Sequence, residues 1–220
     1  YSQGIQTRWN TQWSLGQTQN DTEVGLRFHQ DQIRRTHNRY AYEMLNGRLS
    51  SLNQSAPETL NRNKASAVTL HFAENMAYEN WVFTLLGRVE NVQFRFDEYT
   101  LNNGSNQNTL TRSETAFAPG AAVLYKWSQS LSTKASINRG VSLSGLSDRG
   151  TERPEESVNY EVGFKYMSHS SQTQAELVAF YNDYSNITGT CTGSTGCSSN
   201  QLDLQFNGGA ALVRGGEARL

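Results

Sequence analysis

The sequence has no long apolar run, only two cysteines and almost no net charge. No stretch approaches the roughly 20 consecutive apolar residues that a spanning helix needs, which excludes helical membrane spans. The net charge of −1 provides no overall basic field that would attract nucleic acid or an anionic membrane surface. Nucleophile elbows, zinc-protease motifs, phosphate loops and Cys–His arrangements are missing, so we expect no enzymatic activity.

Metal-binding signals are also missing. Cys191 and Cys197 lie in a segment of Gly, Ser and Thr without histidine, so a zinc site there would lack ligands. We predict that they form a disulfide closing a short loop, which indicates an oxidising compartment. The histidines do not cluster at metal-ligand spacing, and we expect no bound metal or cofactor; they are His29, His37, His71 and His169.

What the chain does contain is an unusual mixture of residue types. Only 36% of its residues are hydrophobic and the mean hydropathy is −0.65, yet 10% are aromatic. The polar excess is Asn, Gln, Ser and Thr rather than charge. A transmembrane β-barrel predicts this mixture, because each strand has one apolar face, the lumen is polar and aromatic residues form girdles at both interfaces.

Strict alternation is the main structural signal, and residues 158–166 show it best. Val158, Tyr160, Val162, Phe164 and Tyr166 share one parity, and polar residues and a glycine occupy the other. Successive side chains of a strand point to opposite faces, so this segment separates an apolar environment from a wet one. The pattern recurs along the chain and predicts an all-β antiparallel meander of about nine long strands.

The predicted connections alternate in length, with short turns near residues 16–21, 75–80, 128–130 and 168–172. Long polar loops are predicted at residues 34–63, 102–114, 143–156 and 186–207. Outer-membrane barrels have such unequal ends, with short periplasmic turns and long extracellular loops. Within the predicted strand 81–99, the apolar parity switches after Val89, and we expect a β-bulge near Val89 and Val92 to restore one apolar face. Arg214 fits the alternation of the last strand poorly.

Several blocks together resemble the TonB-dependent outer-membrane receptors. Residues 153–166, RPEESVNYEVGFKY, are similar to a signature that opens a descending strand after an extracellular loop in that family. Residues 177–186, LVAFYNDYSN, resemble the next strand, and residues 207–217 resemble the strand that follows. Residues 25–35, GLRFHQDQIRR, resemble an earlier strand. We call the predicted loop at residues 186–207 the cysteine segment. Its stretch CTGSTGC, residues 191–197, resembles a loop of ferric-citrate-type receptors.

The resemblance implies a barrel of about 22 strands closed by an N-terminal plug. It further implies import of a ferric siderophore, possibly ferric citrate, across the bacterial outer membrane with energy from TonB. Iron would arrive only as a chelated ligand. Residues 1–220 would be an interior part of the barrel, without the plug or the C-terminal strands. The expected partners are the ferric chelate, outer-membrane lipid and lipopolysaccharide, and TonB through the plug.

Arginine-rich segments at the long-loop end are candidates for binding an anionic chelate, because guanidinium groups suit carboxylate oxygens. The alternatives are a solvated loop or arginines bound to lipopolysaccharide phosphates. Tyrosines near strand ends on this side are further candidates. The candidate ligand-binding residues are Arg34, Arg35, Arg39, Arg139, Arg149, Arg153, Tyr99 and Tyr184.

Other interpretations remain open from the sequence. An oligosaccharide or a corrinoid could be the cargo of the same type of receptor. A soluble all-β carbohydrate-binding domain would instead pack its apolar faces against another sheet. Charges of inferred lumen-facing residues, such as Arg27, His29, Asp31, Arg88 and Glu90, are expected to pair with one another or with the plug. Several aromatic side chains are interpreted as interfacial girdles or, alternatively, as a sugar-stacking platform: Trp9, Trp13, Trp81, Tyr125, Trp127 and Tyr166.

Overall fold

The computed structural model describes residues 1–100, 105–143, 153–168, 173–198 and 205–220. Within these residues the chain is built almost entirely of strands, with one 3-10 turn at Gly193–Thr195. The strands are β1 (Ser2–Leu15), β2 (Thr18–Leu45), β3 (Arg48–Tyr78), β4 (Trp81–Tyr99), β5 (Asn106–Lys126), β6 (Leu131–Ser142), β7 (Glu155–Met167), β8 (Gln174–Ser185), β9 (Thr188–Thr190), β10 (Gln205–Asn207) and β11 (Ala211–Arg219). In the part of the chain that the structure describes, no helix is long and apolar enough to span a membrane.

Nine strands form one antiparallel sheet in the order β1-β2-β3-β4-β5-β6-β7-β8-β11. Each strand therefore pairs with its neighbour in sequence, except that β9 and β10 form a separate two-stranded sheet before β11 begins. The predicted all-β antiparallel meander of nine long strands is confirmed. Connections of a few residues join consecutive strands at one end, which we call the short-turn end; the opposite end is the long-strand end.

The register places apolar residues of neighbouring strands side by side on one face of the sheet. Trp9 pairs with Val24, which pairs with Phe72, and farther across the sheet Ile137 pairs with Tyr160. We call this side the apolar face and the opposite side the polar face. Arg214 lies in register with Tyr181, so this guanidinium belongs to the apolar face, as its poor fit to the alternation indicated.

This apolar face has no second layer against it among the described residues. Ile5 is 72% exposed, Trp9 62% and Leu177 56%. In the part of the chain that the structure describes, the buried apolar residues are few and do not form a core under the sheet: Val92, Phe96, Ala116 and Cys191. A contiguous apolar surface of this extent is far larger than soluble monomers expose, and it suits a lipid environment.

Aromatic residues of the apolar face gather at the short-turn end. The Trp81 and Tyr125 ring centroids are 4.5 Å apart, and those of Tyr125 and Trp127 are 4.7 Å apart. Trp127 Nε1 donates a hydrogen bond to Thr133 Oγ1 at 2.8 Å. The rings thus pack against one another through their apolar faces, and the indole N–H of Trp127 makes a polar contact. Aromatic side chains at a membrane interface combine these two kinds of contact.

The predicted bulge at residues 89–92 is wrong. Strand β4 stays in continuous register with β3 and β5 through this segment, and its register with β5 shifts only between Glu98 and Tyr99. Because alternation is unbroken, Val92 and Phe94 lie on the polar face. After Val89, the positions of β4 on the side of the apolar face are consequently occupied by the polar residues Asn91 and Gln93. The switch in parity therefore marks the edge of the apolar surface rather than an extra residue.

The predicted loop at residues 34–63 is also wrong. Strands β2 and β3 continue through it as one long hairpin with a turn at Asn46 (φ 51°) and Gly47 (φ 75°). Positive φ at both central residues is the type I′ pattern, which suits the twist of a two-stranded ribbon. The predicted loop at residues 102–114 is likewise shorter, because β5 begins at Asn106. The unequal ends of the sheet thus arise mainly from strand extension.

Candidate ligand-binding site at the long-strand end

Arg34 and Arg35 lie on opposite faces of β2. Arg34 is in register with Arg62 and shares the apolar side with Phe28, whereas Arg35 is in register with Asn61 on the polar side. Consecutive strand residues cannot converge on one small ligand, because their side chains point in opposite directions. Of these two candidates, the polar face therefore carries only Arg35.

Two other predicted arginines are only partly located. The backbone of Arg39 belongs to β2 opposite Ala56, beyond a register shift between His37 and Asn38. The side chain of Arg39 and the whole of Arg149 lie outside the described residues. Neither is therefore placed relative to the other candidates.

The guanidinium of Arg139 has acceptors within the sheet. Its Nη2 lies 2.7 Å from Glu156 Oε2, and its Nη1 donates to the Phe117 carbonyl at 3.2 Å. Arg139 shares the apolar face with Ile137 and is in register with Val158. This arrangement holds the β6–β7 pair together near the edge of the apolar face, on the side away from the polar face.

Arg153 belongs to a clasp between the start of β7 and the cysteine segment. Asn207 Oδ1 accepts a hydrogen bond from Arg153 N at 2.7 Å, and Asn207 Nδ2 donates to the carbonyls of Arg153 at 3.0 Å and Asn186 at 2.9 Å. Beside it, Glu155 Oε1 accepts from Thr188 N at 2.6 Å. One amide and one carboxylate thus hold β9 and β10 against β7.

The predicted disulfide between Cys191 and Cys197 is present, with the two Cα atoms 5.7 Å apart. It closes the turn that lies between β9 and β10. The cysteine segment is therefore held at its base by side-chain hydrogen bonds and within its tip by a covalent link. Among the described residues, no group of three or more His, Cys, Asp or Glu side chains is arranged to hold a metal ion.

The two tyrosine candidates also lie on different sides of the sheet. Tyr99 lies at the end of β4 with the Arg62 guanidinium 5.6 Å from its ring centroid, a cation–π contact on the apolar side. Tyr184 lies on the polar face of β8, in register with Ser157 and Ala211, and is half-buried. Arg35 and Tyr184 are thus the fully described candidates that the alternation assigns to the polar face.

Charged side chains of the polar face pair with one another along their own strands. His29 Nε2 lies 2.9 Å from Asp31 Oδ2, and Arg88 Nη2 lies 2.7 Å from Glu90 Oε2. Arg27 Nη2 lies 3.3 Å from His29 Nδ1. The expected pairing of lumen-facing charges is therefore present within the sheet itself.

The sequence analysis did not predict that part of the polar face is lined by apolar side chains. The lining of a depression of about 270 Å³ includes the charged residues His29, Asp31, Arg88 and Glu90 and the apolar residues Val92, Phe94, Val141 and Leu143. The parity switch after Val89 was the available signal, since unbroken alternation would have assigned Val92 and Phe94 to this face. The depression combines charge with apolar surface, as sites for organic ligands commonly do.

Asp97 links β4 to β5 beyond the apolar face. Its carboxylate accepts a hydrogen bond from Thr109 Oγ1 at 2.8 Å and another from Arg95 Nε at 2.9 Å. Burial by itself raises the pKa of Asp97, but these two partners outweigh it, and the pKa lies below its ordinary value of 3.8. The group is therefore ionised at neutral pH.

The chain is similar in structure to several solved receptors, and it spans about a third of their length. It matches the ferric citrate transporter FecA in its unliganded form with a TM-score of 0.76 and 19% identity, over 99% of this chain and 31% of that one. The ferric-catecholate import receptor Fiu of E. coli K12 matches with a TM-score of 0.72 and 13% identity, over 99% and 34%. The siderophore receptor PiuA of Acinetobacter baumannii matches with a TM-score of 0.72 and 13% identity, over 99% and 35%. At these identities the likeness establishes the fold alone.

Sequence comparison adds the family. No curated protein matches the chain significantly. The family model for the β-barrel of TonB-dependent receptor-like proteins matches residues 1–220, the whole of the sequence. The chain therefore belongs to the TonB-dependent receptor family and forms part of its β-barrel.

Proposed function

We propose that this chain is the barrel segment of an outer-membrane receptor that imports a ferric siderophore with energy supplied by TonB. The observation that carries the proposal is the family match over all 220 residues. The exposed apolar face agrees with a position in a lipid bilayer, and the paired charges of the polar face agree with a wet lumen. The receptor acts by binding and gated transport, without making or breaking covalent bonds.

Ferric citrate is the cargo that we favour. A solved ferric citrate transporter shares the fold over 99% of this chain, and the cysteine segment resembles a loop of that receptor type. Citrate chelates are anionic and rich in carboxylate oxygens, which guanidinium groups bind well. Arg35 is exposed on the polar face of β2 and Tyr184 lies on the polar face of β8. We assign these two residues to contacts with the chelate.

The projecting parts of the long-strand end provide the gate in this proposal. The β2–β3 hairpin and the cysteine segment both extend beyond the apolar face. Capture of the chelate would bring such projections over it, and TonB would then act on the plug domain that complete receptors of this family carry. Within the outer membrane, the short-turn end faces the periplasm and the long-strand end faces outward.

Growth on defined iron sources tests the cargo. A strain deleted for the full-length gene is grown on ferric citrate as the sole iron source and, in parallel, on a panel of other ferric siderophores. We expect the deletion to abolish growth on ferric citrate but not on the other ferric siderophores, and we expect the full-length gene to restore growth on ferric citrate. Normal growth of the deletion strain on every iron source would overturn the iron proposal and would favour an oligosaccharide or corrinoid as cargo.

Point variants of the full-length receptor test the assigned residues. Arg35→Gln removes a polar-face charge at the long-strand end, and we expect uptake of radioactive ferric citrate to fall about tenfold because one charge-assisted contact is lost. Lys134→Gln is the matched control, since it removes one positive charge from the polar face of β6 near the short-turn end. Equal uptake by both variants would contradict the role of Arg35.

A further inference from the structure

The polar face of the sheet differs in chemistry between its two halves. On β1 to β4 it carries acidic side chains paired with basic ones, and we call this half the charged wall. The pairs are Glu23 with His71, His29 with Asp31, and Arg88 with Glu90. The carboxylates of these pairs repel an anionic solute, and the basic partners are already occupied.

On β6 to β8 the same face carries a row of three amides, which we call the amide ladder: Asn138, Asn159 and Asn182. Asn159 Nδ2 donates hydrogen bonds to Asn138 Oδ1 at 3.0 Å and to Ser157 Oγ at 3.2 Å. The amide of Asn182 has no hydrogen-bond partner among the described residues, and its Oδ1 is buried. Because Oδ1 is turned into the sheet, the two N–H donors of Asn182 face the lumen.

The amide ladder belongs to a part of the polar face without charge. The next row toward the long-strand end consists of Gly140, Ser157, Tyr184 and Ala211, which are in register. Every polar-face residue of these two rows on β6, β7, β8 and β11 is uncharged. Glu161 ends the neutral stretch on the side of the short turns. Tyr184, the proposed chelate contact, thus lies at the outward end of this stretch.

Glycines let neighbouring side chains lie flat along this half of the sheet. A Cβ added at Gly140 would lie 2.5 Å from Ser157 Oγ, so the serine hydroxyl occupies the space over that glycine. A Cβ added at Gly215 on β11 would lie 2.8 Å from Phe180 Cζ, so the phenyl ring lies over the backbone there. Side chains placed over glycines project less into the lumen than they would over larger residues. The wall around the amide ladder therefore leaves space for a solute.

The charged wall, in contrast, is partly covered at its outward end. Val141 and Leu143, beyond the part of β6 that pairs with β5, line the same depression as His29 on β2. Because β5 lies between β6 and β4 in the sheet, the end of β6 reaches over the polar face of β5 to contact this wall. Glu114 and Ala116 on that face of β5 are only 8% and 6% exposed. A solute entering along the charged wall would meet this cover first.

We propose that the amide ladder and the row of Tyr184 line the route by which an anionic chelate moves inward from its outer contacts. The proposal rests on the transport function proposed above and assigns a route to it. Amide N–H groups donate to carboxylate oxygens without placing a fixed charge beside them, so each contact is favourable but modest. A conducting path requires binding that is strong enough to admit the solute and weak enough to release it.

An acidic side chain placed in the amide ladder tests the route, because it would repel the chelate. Asn159→Asp and Asn182→Asp change the charge at nearly constant shape. Asn10→Asp is the matched control, since Asn10 occupies the same row of the polar face on β1, outside the amide ladder. Cells that carry the full-length receptor are given radioactive ferric citrate. The Kd for surface binding is measured without an energy source, and the maximal uptake rate is measured with one.

We expect the maximal uptake rate to fall about tenfold in both ladder variants while the Kd stays unchanged. Both quantities should stay unchanged in the control variant. A purely structural role of the amides would instead lower the amount of receptor in the outer membrane and leave the uptake rate per receptor unchanged, which would overturn the proposal. Equal uptake rates in wild type and ladder variants, or an equal fall in the control, would also overturn it.

A thiol reaction separates the route from a folding defect, because the same folded protein is assayed before and after modification. Asn182→Cys and Asn10→Cys are treated during active uptake with a methanethiosulfonate reagent that carries a sulfonate. The native cysteines of the chain do not compete, since they are joined in a disulfide. We expect modification to stop uptake at position 182 and to have no effect at position 10. A thiol at position 182 that stays unreactive during uptake would contradict the route.

The wild-type measurement distinguishes this proposal from the one on which it rests. Absence of ferric citrate uptake by the wild-type receptor would overturn the transport of this chelate and the route together. Normal wild-type uptake that the ladder variants and the thiol reaction leave unchanged would overturn the route alone.

Discussion

Two projections of the long-strand end, the β2–β3 hairpin and the cysteine segment, are held by different kinds of interaction. The β2–β3 hairpin extends the sheet itself, so its backbone hydrogen bonds continue from Thr18–Leu45 and Arg48–Tyr78 out to a two-residue turn. Among its described residues, the cysteine segment has only the short strands Thr188–Thr190 and Gln205–Asn207, and side chains and a disulfide support it. A ladder distributes stability over many bonds, whereas a clasp concentrates it in a few.

The largest effect is expected from Asn207→Ala. The substitution removes three hydrogen bonds that join β10 to residues 153 and 186. At about 1 kcal/mol each, their loss costs about 3 kcal/mol of local stability. Amide hydrogen exchange of residues 188–190 in the full-length protein should therefore accelerate about a hundredfold. Asn207→Asp keeps the acceptor and loses the donor, so the exchange rate in this variant should lie between those of the wild type and the alanine variant. Unchanged exchange in the alanine variant would show that the clasp does not hold the segment.

The second effect concerns the covalent link. Replacing Cys191 and Cys197 by Ser opens a ring whose ends are six residues apart, which loses about 2 kcal/mol by loop-closure entropy. Proteolytic cleavage within residues 191–197 should become faster, while the thermal unfolding of the barrel stays the same. Treating the wild-type protein with a reductant should reproduce the result. A fall in the unfolding temperature of the whole barrel would instead make the disulfide a global support.

The β2–β3 hairpin should lose less local stability when its turn is altered by Gly47→Ala. Gly47 has a φ of +75°, and Ala at this position costs about 1 kcal/mol because a Cβ disfavours the left-handed region. The ladder on both sides limits the damage, so faster amide exchange should be confined to residues 44–49. Gly87→Ala is the control, since an added Cβ there meets nothing within 4 Å. Fraying that spreads far down β2 would show that the turn, not the ladder, holds the hairpin.

The smallest effect is a pH dependence at the end of β4. The pKa of Asp97 is lowered in the folded protein, so its contribution to stability is present above its ordinary pKa of 3.8 and is lost as pH falls through the lower folded value. Below that pH, amide exchange of residues 106–111 in β5 should accelerate after correction for intrinsic rates. Asp97→Asn should abolish this pH dependence. A pH response that persists in the asparagine variant would assign it to another carboxyl.

Sequence reasoning succeeded where one face of a strand is apolar and failed beyond that point. Between Trp81 and Val89 the alternation is strong because one parity must be apolar, and the strands there were predicted with the right neighbours. In residues 34–63 neither parity is consistently apolar, so the alternation disappears and a strand looks like a loop in the sequence. The pair Asn46 and Gly47 was the signal for a hairpin turn in that stretch.

The candidate site divides in the same way. The cysteines were correctly paired from the sequence, whereas the arginines, chosen because guanidinium groups suit an anionic ligand, stay predicted ligand contacts. The directions of the arginine side chains were not predictable, since the face of Arg34 or Arg139 depends on the register that each strand adopts with its neighbours. The clasp at Asn207 joins residues 54 positions apart, and no local pattern indicates such a contact.

The sequence by itself determined the all-β meander, its apolar face and its disulfide, because alternation and cysteine spacing are local properties of the chain. Tertiary structure alone decided how far β2 and β3 extend, where the apolar face ends on β4, and which cations meet. These features depend on hydrogen bonds and register between strands distant in sequence. Register is a collective property of the sheet: a shift of one residue would move every side chain of a strand to the opposite face.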